Sequence, residues 1–323
     1  MKKLISVIIA ITMIVCLFTA CGTSADDGVY KIAIVQQLDH ASLDEIRTAV
    51  EAQLDALAAE KGITIEYKEF NGQNDATVLN QIGAQVVDDG YDAIIPIATL
   101  AAQCMVTAAD GTDTPIIYAA ISDPATAGLT DISTVTGTSD ALNTPFILDM
   151  MFAVNPDIQT VGLLYSNSEA NSTTPIAEAK AYLDEKGIAY LEKTGNTADE
   201  IITAANALVG RCDAVFTPTD NVVMNVAGPV AEILNEAGIP HYTGADSFVT
   251  AGAFTTCGVN YTELGTYTAN MAVDILLGGE IPEYHVMDGG IITVNTETAA
   301  ALNLDYSVFN TMANTVVEVT TGE

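Results

Sequence analysis

The residues most able to do chemistry in this chain sit in short loops that follow apolar, β-branched runs. Gln36, Gln37 and His40 follow the first run, Thr99 follows Ala98, and Ser122 and Asp123 follow Ala120. Asn167, Ser168, Glu169, Asn171 and Ser172 follow Tyr165; Asp220 and Asn221 follow Thr219; Asp246 and Ser247 follow Ala245. Thr138, Ser139 and Asp140 lie between the two halves of the chain. These hydroxyls, amides and carboxylates can hold a small polar solute, and no Lys or Arg stands among them. A ligand carboxylate would therefore be met by helix N-terminal amides and hydroxyls, for which Thr99 and the Ser168–Ser172 loop are suited. Asp123, Asp220 and Asp246 would suit a ligand ammonium, so the set fits a zwitterionic amino acid. Ser, Thr, Asn and Asp also favour helix N-caps, and for any single residue that structural role stands beside the binding one.

Bond-making chemistry finds no support. The chain has no Gly-x-Ser-x-Gly elbow, no phosphate loop with its Lys and no dinucleotide glycine fingerprint. Of its 3 histidines, His40 falls in a candidate loop, whereas His241 and His285 read as structural or exposed. Cys104, Cys212 and Cys257 show neither CxxC spacing nor clustered histidines, so no metal and no cofactor is expected. They read as small buried hydrophobes, with one disulfide among the three left open.

The elements that must position these loops alternate strand with helix. Strand runs are expected at 31–36, 63–70, 93–98 and 115–120, with helices between them; the first helix carries Leu43, Ile46, Val50, Leu54 and Leu57 on one stripe and a Ser42/Glu45 capping box. The pattern restarts with strands at 161–166, 188–194, 214–219 and 241–245, and with helices at 175–185, 201–209 and 222–237, the second of them capped by Thr197 and Glu200. Glu60-Lys61-Gly62-Ile63 reappears as Glu185-Lys186-Gly187-Ile188, and Asp92-Ala93-Ile94 as Asp213-Ala214-Val215, at matching junctions. Repeated βαβ units imply parallel sheets covered by helices, and two matched halves imply two Rossmann-like α/β lobes joined by a multi-strand hinge. Ligands bind beyond the carboxyl ends of such strands, which places the loops above in a cleft between lobes. The expected lobes are 30–138 with 260–279, and 139–259 with 280–323. Tyr118, Phe146, Tyr165 and Phe216 are the aromatic candidates for the pocket, in a chain without Trp.

The N-terminus reads as targeting: Lys2-Lys3, an apolar run from Leu4 to Phe18, then Thr19-Ala20 before Cys21. Residues 1–20 are the expected signal peptide, Cys21 the lipidated cysteine and 21–29 a tether, which anchors the protein on the extracytoplasmic face of the bacterial membrane. Phe18 departs mildly from the usual Leu or Val of a lipobox. About 300 residues remain, enough for two domains. The chain holds 42 Asp+Glu against 10 Lys+Arg, none of the latter after Arg211, so nucleic acid is excluded as a partner for want of a basic footprint.

Several motifs, taken in order, resemble one family. They are Gln36 to Asp44 with His40, Ile97-Ala98-Thr99 before Ala101-Ala102-Gln103, Ser122-Asp123-Pro124 with Ala127-Gly128-Leu129, and Gly137-Thr138-Ser139-Asp140. Tyr165 with Asn167–Ser172, Pro218-Thr219-Asp220-Asn221, and Tyr261 with Leu264-Gly265 complete the set. The chain resembles the tryptophan/tyrosine-type ABC-transporter substrate-binding lipoproteins of type I periplasmic-binding-protein fold, with Ala41 and Leu100 standing where that family often has Pro. The resemblance implies capture of an aromatic amino acid between the lobes and its delivery to an ABC permease, and a monomer is expected. A nucleoside or other small solute, and a sensing domain reporting to a membrane receptor, stay open as alternatives.

Overall fold

The computed structural model describes residues 28–322, so the signal segment, Cys21 and nearly all of the tether lie outside the described residues. The first lobe begins β1 (Val29–Gln36), α1 (Ala41–Lys61), β2 (Thr64–Asn71), α2 (Ala76–Asp88), β3 (Ala93–Ile97), α3 (Thr99–Ala108), β4 (Ile116–Tyr118) and β5 (Val135–Ser139). The second runs α4 (Thr144–Val154), β6 (Thr160–Tyr165), a 3-10 turn (Ala170–Ser172), α5 (Thr173–Lys186), β7 (Ala189–Thr194), α6 (Ala198–Asn206) and β8 (Ala214–Thr217). It continues through α7 (Asn221–Met224), α8 (Ala227–Glu236), β9 (His241–Thr243), α9 (Asp246–Thr250) and β10 (Thr255–Gly258). The tail holds α10 (Tyr261–Leu276), β11 (His285–Val286), β12 (Ile291–Asn295), α11 (Thr296–Ala301), α12 (Phe309–Met312) and β13 (Thr315–Val319).

Two sheets result, ordered β11-β5-β4-β3-β1-β2 and β13-β12-β10-β9-β8-β6-β7. The orders β2-β1-β3-β4-β5 and β7-β6-β8-β9-β10 are the same module twice, and the repeated motifs do the same work in each. Gly62 and Gly187 both close a helix with φ near the left-handed region, 67° and 69°, where a side chain would clash with its own backbone. Asp92 and Asp213 each turn a carboxylate back onto amides near the start of the neighbouring first strand: Lys31 N in one lobe, Gln159 and Thr160 N in the other. All pairings are parallel except β10 with β12.

The chain passes between sheets after β5, after β10 and after β11, a three-strand hinge. On its return, α10 packs along α1, and Gly265 permits the approach: a Cβ there would lie 2.5 Å from the Ile46 carbonyl oxygen. Since β11 pairs with β5, this return to the first sheet extends to Val286, beyond the glycine pair at 278–279.

Two local expectations are corrected. The helix expected over 222–237 breaks into α7 and α8, because Pro229 has no N–H for the Asn225 carbonyl and its ring would crowd it. The capping box at Ser42 and Glu45 does not form: His40 is the N-cap residue without a side-chain cap bond, while Ser42 reaches Ser247 and Glu45 accepts from Thr262. The three cysteines are all buried and free. Thr197 does cap α6, accepting from Glu200 N.

Candidate functional site

A small cavity of about 30 Å³ lies between the carboxyl edges of the two sheets. Its wall from the first lobe carries His40, Ser42, Leu43, Ala98, Thr99, Ala120 and Ser122; Asp140 and Tyr261 come from the hinge segments. The second lobe supplies Asn171, Thr219, Asp220, Asn221, Met224, Ala245, Ser247 and Phe248. None of these residues is Lys or Arg.

Each functional side chain is placed by the start of a helix or loop that follows a strand. Thr99 opens α3 where the chain leaves β3 through Ala98, whose φ of 74° is a conformation that residues with a Cβ rarely adopt. Ala120, after β4, is similarly strained with φ 58°. Strained backbone beside a cavity marks a place where the surrounding structure over-determines geometry. The Leu100 N–H of the first α3 turn is taken by Gln37 Oε1 at 3.0 Å, while the Thr99 hydroxyl is buried with no partner.

His40 can be oriented by its neighbours. Asn221 Nδ2 donates to Glu169 Oε2 at 2.7 Å, so Asn221 Oδ1 is an acceptor, and His40 Nε2 donates to it at 2.9 Å. Burial lowers the His40 pKa, against the raising effect of the Asn221 bond and of Asp44 and Asp39. A neutral ring with its proton on Nε2 leaves Nδ1 as a buried acceptor without a partner.

The carboxylates are deeply buried and face no cation. Asp140 accepts from Ser122 Oγ at 3.0 Å and Tyr261 Oη at 3.2 Å, and burial raises its pKa. Asp220 accepts from Ser166 N and Ser172 Oγ, both at 2.7 Å, and from Val223 N at 3.0 Å; burial still raises it. Behind it, Glu169 is pushed up to about 7, by burial first and then by the Asp220 charge. Such a wall favours a positively charged group on the molecule it encloses.

Among the described residues six hydrogen bonds cross between lobes: Gln37 Nε2 to Glu169 (3.2 Å), His40 to Asn221, Ser42 with Ser247 (2.5 Å), Ser122 with Thr219 (3.0 Å), Thr174 to Asp123 (2.6 Å) and Thr126 with Thr174 (3.4 Å). The jaws are shut on the cavity.

Of the residues singled out from sequence, the fold gathers His40, Thr99, Ser122, Asn171, Asp220 and Asn221 on the cavity wall, with Asp140 and Ser247 from the same loops. Others lie elsewhere for identifiable reasons. Gln36 turns to the opposite side of its strand from Gln37, where it meets Asp44 and Arg47. Thr138 bonds Thr268 beneath the site, and Ser139 accepts from Ala141 N. Asp123 caps its own turn at Thr126 and meets Thr174 at the rim. Asn167 donates to Thr194 and Ser168 pairs with Ser166, while Glu169 and Ser172 stand one layer behind Asp220. Asp246 is held beside Glu45, and burial and that charge raise its pKa, so no cavity-lining role falls to it.

The four aromatic candidates are also displaced. Tyr118 and Phe216 are fully buried core residues, Phe146 packs within the second lobe's core, and Tyr165 gives its hydroxyl to Glu192. Phe248 and Tyr261 line the cavity instead. Phe248 and Met224 gave no sequence signal, being apolar residues in helical stretches, and Leu43 read only as part of the buried stripe of the first helix. Tyr261 stood in a quoted motif without an assigned role.

Comparison with known proteins gives these features a context. A family model described as ABC transporter substrate binding protein matches residues 31–314. A tyrosine-binding protein of Clostridioides difficile (strain R20291) is 31% identical, over 94% of this chain and 93% of its own length. The crystal structure of an ABC domain in complex with L-Trp from Streptococcus pneumonia superposes with TM-score 0.82 at 28% identity, covering 89% of this chain and 99% of that one. The ligand-free, open structure of CD0873, a substrate binding protein with adhesive properties from Clostridium difficile, gives TM-score 0.68 at 31% identity, over 90% and 99% of the two chains. The better overlay is with the ligand complex despite its lower identity, in keeping with the hydrogen bonds that join the lobes here. With its two matched lobes, hinge and enclosed polar cavity, the chain belongs to the family of ABC transporter substrate binding proteins.

Proposed function

We propose that this protein captures a free amino acid with an aromatic side chain between its lobes, outside the cytoplasmic membrane, and presents it to an ABC permease. The observation that carries the reading is the pair of unpartnered buried groups on the cavity wall, Thr99 Oγ1 and His40 Nδ1, opposite the buried carboxylates Asp140 and Asp220. The α3 N-terminus with Thr99 receives the ligand carboxylate, since helix-end amides attract anions without a full charge. His40 Nδ1, Asp140 and Asp220 receive the ammonium. Phe248, Tyr261, Leu43 and Met224 offer the apolar surface that an aromatic ring buries. The names of the C. difficile relative and of the L-Trp complex support the same ligand class.

Delivery follows from two states. A ligand that touches both walls stabilises the closed form by its differential affinity, and the permease then receives a loaded, shut molecule. Anchoring through Cys21, export by residues 1–20, and action as a monomer belong to the same proposal. Among the described residues no helix is long and apolar enough to cross a membrane. Isothermal titration of the purified protein with L-Tyr, L-Trp, L-Phe and a nucleoside panel tests the ligand class: saturable binding of at least one aromatic amino acid is expected, and binding of nucleosides alone would overturn it. A Cys21→Ser form should leave the membrane fraction; its retention there would contradict the anchor.

A further inference from the structure

The cavity wall is divided into two chemically distinct ends. Ser122, Asp140 and Thr219 are joined to one another by hydrogen bonds, Ser122 Oγ to Asp140 Oδ1 and Ser122 Oγ with Thr219 Oγ1, and Asn171 Nδ2 donates to the Thr219 carbonyl at 2.6 Å. With Thr99 and Asp220 these form the end suited to charged ligand groups. The other end is apolar, built from Leu43, Met224, Ala245 and Phe248, all of which line the cavity. Within it stand two hydroxyls, one from each lobe: Ser42 on α1 and Ser247 on α9, Oγ to Oγ at 2.5 Å. Ser247 Oγ also lies 3.3 Å from Met224 Sδ. Both serines are buried, at 4% and 6% exposure, and neither hydrogen-bonds the polar network at the charged end.

Hydroxyls in an apolar wall carry a desolvation cost that an alanine or leucine would avoid. Here they satisfy each other, and they do so only while the lobes are shut. Resting on the reading of the cavity as an aromatic amino-acid site, we propose that Ser42 and Ser247 form a specificity pair for a hydroxylated ring, so that the phenol of tyrosine is preferred over the unsubstituted ring of phenylalanine. A para-hydroxyl can donate to one serine and accept from the other, bridging the lobes in place of the direct serine–serine bond. A phenyl ring offers neither donor nor acceptor. Because the serines can fall back on each other when the ligand has no hydroxyl, no polar group is orphaned by phenylalanine. The discrimination is therefore that of a gained hydrogen-bond pair, about tenfold, and not the far larger rejection seen where a site's buried polar groups are left unpaired.

The test is calorimetry of the purified protein and of Ser42→Ala, Ser247→Ala and the double variant, each titrated with L-Tyr and L-Phe. The expected result is a tyrosine preference of about tenfold in the parent protein that falls to within about twofold in the double variant, because tyrosine affinity falls further than phenylalanine affinity. Retained phenylalanine binding also shows that the variants fold and close. If both affinities fall together, the pair is only a closure latch and the specificity proposal fails. It fails equally if the preference survives both substitutions. If the parent protein binds tryptophan alone, the specificity proposal fails and the aromatic reading stands; if it binds no aromatic amino acid but takes another solute, the aromatic reading itself has failed.

Discussion

The two walls of the cleft meet the same ligand with different kinds of residue. The first lobe presents vacancies: the unpartnered Thr99 hydroxyl, the free His40 Nδ1, and strained backbone at Ala98 and Ala120. The second presents charge that its own loops already hold, Asp220 accepting from Ser166, Ser172 and Val223 with Glu169 behind it. A vacancy contributes nothing to the fold and waits for ligand; a satisfied carboxylate helps to build the loop and shapes the field in the cleft. Substitutions on the two walls should therefore separate affinity from stability.

The sharpest break is at Asp220. Asp220→Ala removes both a loop-organising acceptor and the charge, so affinity should fall by about 30-fold or more, with a loss of about 1–2 kcal/mol in stability. Calorimetry and thermal melting read the two effects; an unchanged Tm with lost affinity would mean that the carboxylate does not build its loop. Thr99→Val should weaken binding about tenfold while leaving Tm unchanged or slightly raised, because its hydroxyl has no partner in the unliganded protein. A clear drop in Tm would show that the hydroxyl serves the fold. Ala98→Gly should relieve the strain at φ 74° and raise stability by about 1 kcal/mol, read by denaturant titration.

The acidic layer behind the second wall gives a pH dependence. Glu169 lies at about 7, above its ordinary 4.5, so the folded protein holds its proton more tightly than the unfolded chain does. The benefit is complete below 4.5 and is lost as pH rises through about 7. The Tm of Glu169→Gln should thus gain on that of the parent protein as pH rises from 4.5 through about 7; a difference that does not change with pH would contradict it. The global fold responds in the opposite sense through His241, which burial holds at about 3. Its contribution to stability is present above 6.5 and is lost as pH falls below that value. The smallest effect is expected at Asp246, whose carboxylate does not line the cavity although Ala245 and Ser247 on either side of it do: Asp246→Ala should change affinity by less than about twofold. A large loss would restore it to the site.

Sequence periodicity made most of the fold legible, because burial on one or both faces leaves a repeating imprint. The βαβ alternation, the duplicated Glu-Lys-Gly-Ile junctions and the Asp-Ala pair at each third strand foretold two matched sheets. Short strands with weak imprints were harder to see: β5 read only as the joint, and β10 and β13 passed unnoticed, being brief and rich in Thr and Gly or exposed at an edge. The rule that ligands lie beyond strand carboxyl ends located the cleft and supplied His40, Thr99, Ser122, Asn171, Asp220 and Asn221. It could not rank residues within a loop, since neighbours one position apart point to opposite sides, as Gln36 and Gln37 do.

By itself, then, the order of residues determined which segments are strands and helices, that the module occurs twice, and that the intervening loops are polar and free of cations. Those properties depend on local propensity and on periodic burial, which one chain carries in its own pattern. Only the tertiary structure decided which of those polar groups would be satisfied by neighbours and which left open. It turned Ser42 from a helix cap into one half of a hydroxyl pair, set Asp246 behind the wall, and brought Phe248 and Tyr261 where Tyr118 and Phe216 were expected. Partners for hydrogen bonds and walls for cavities come from residues a hundred or more positions away, and no local pattern encodes that meeting.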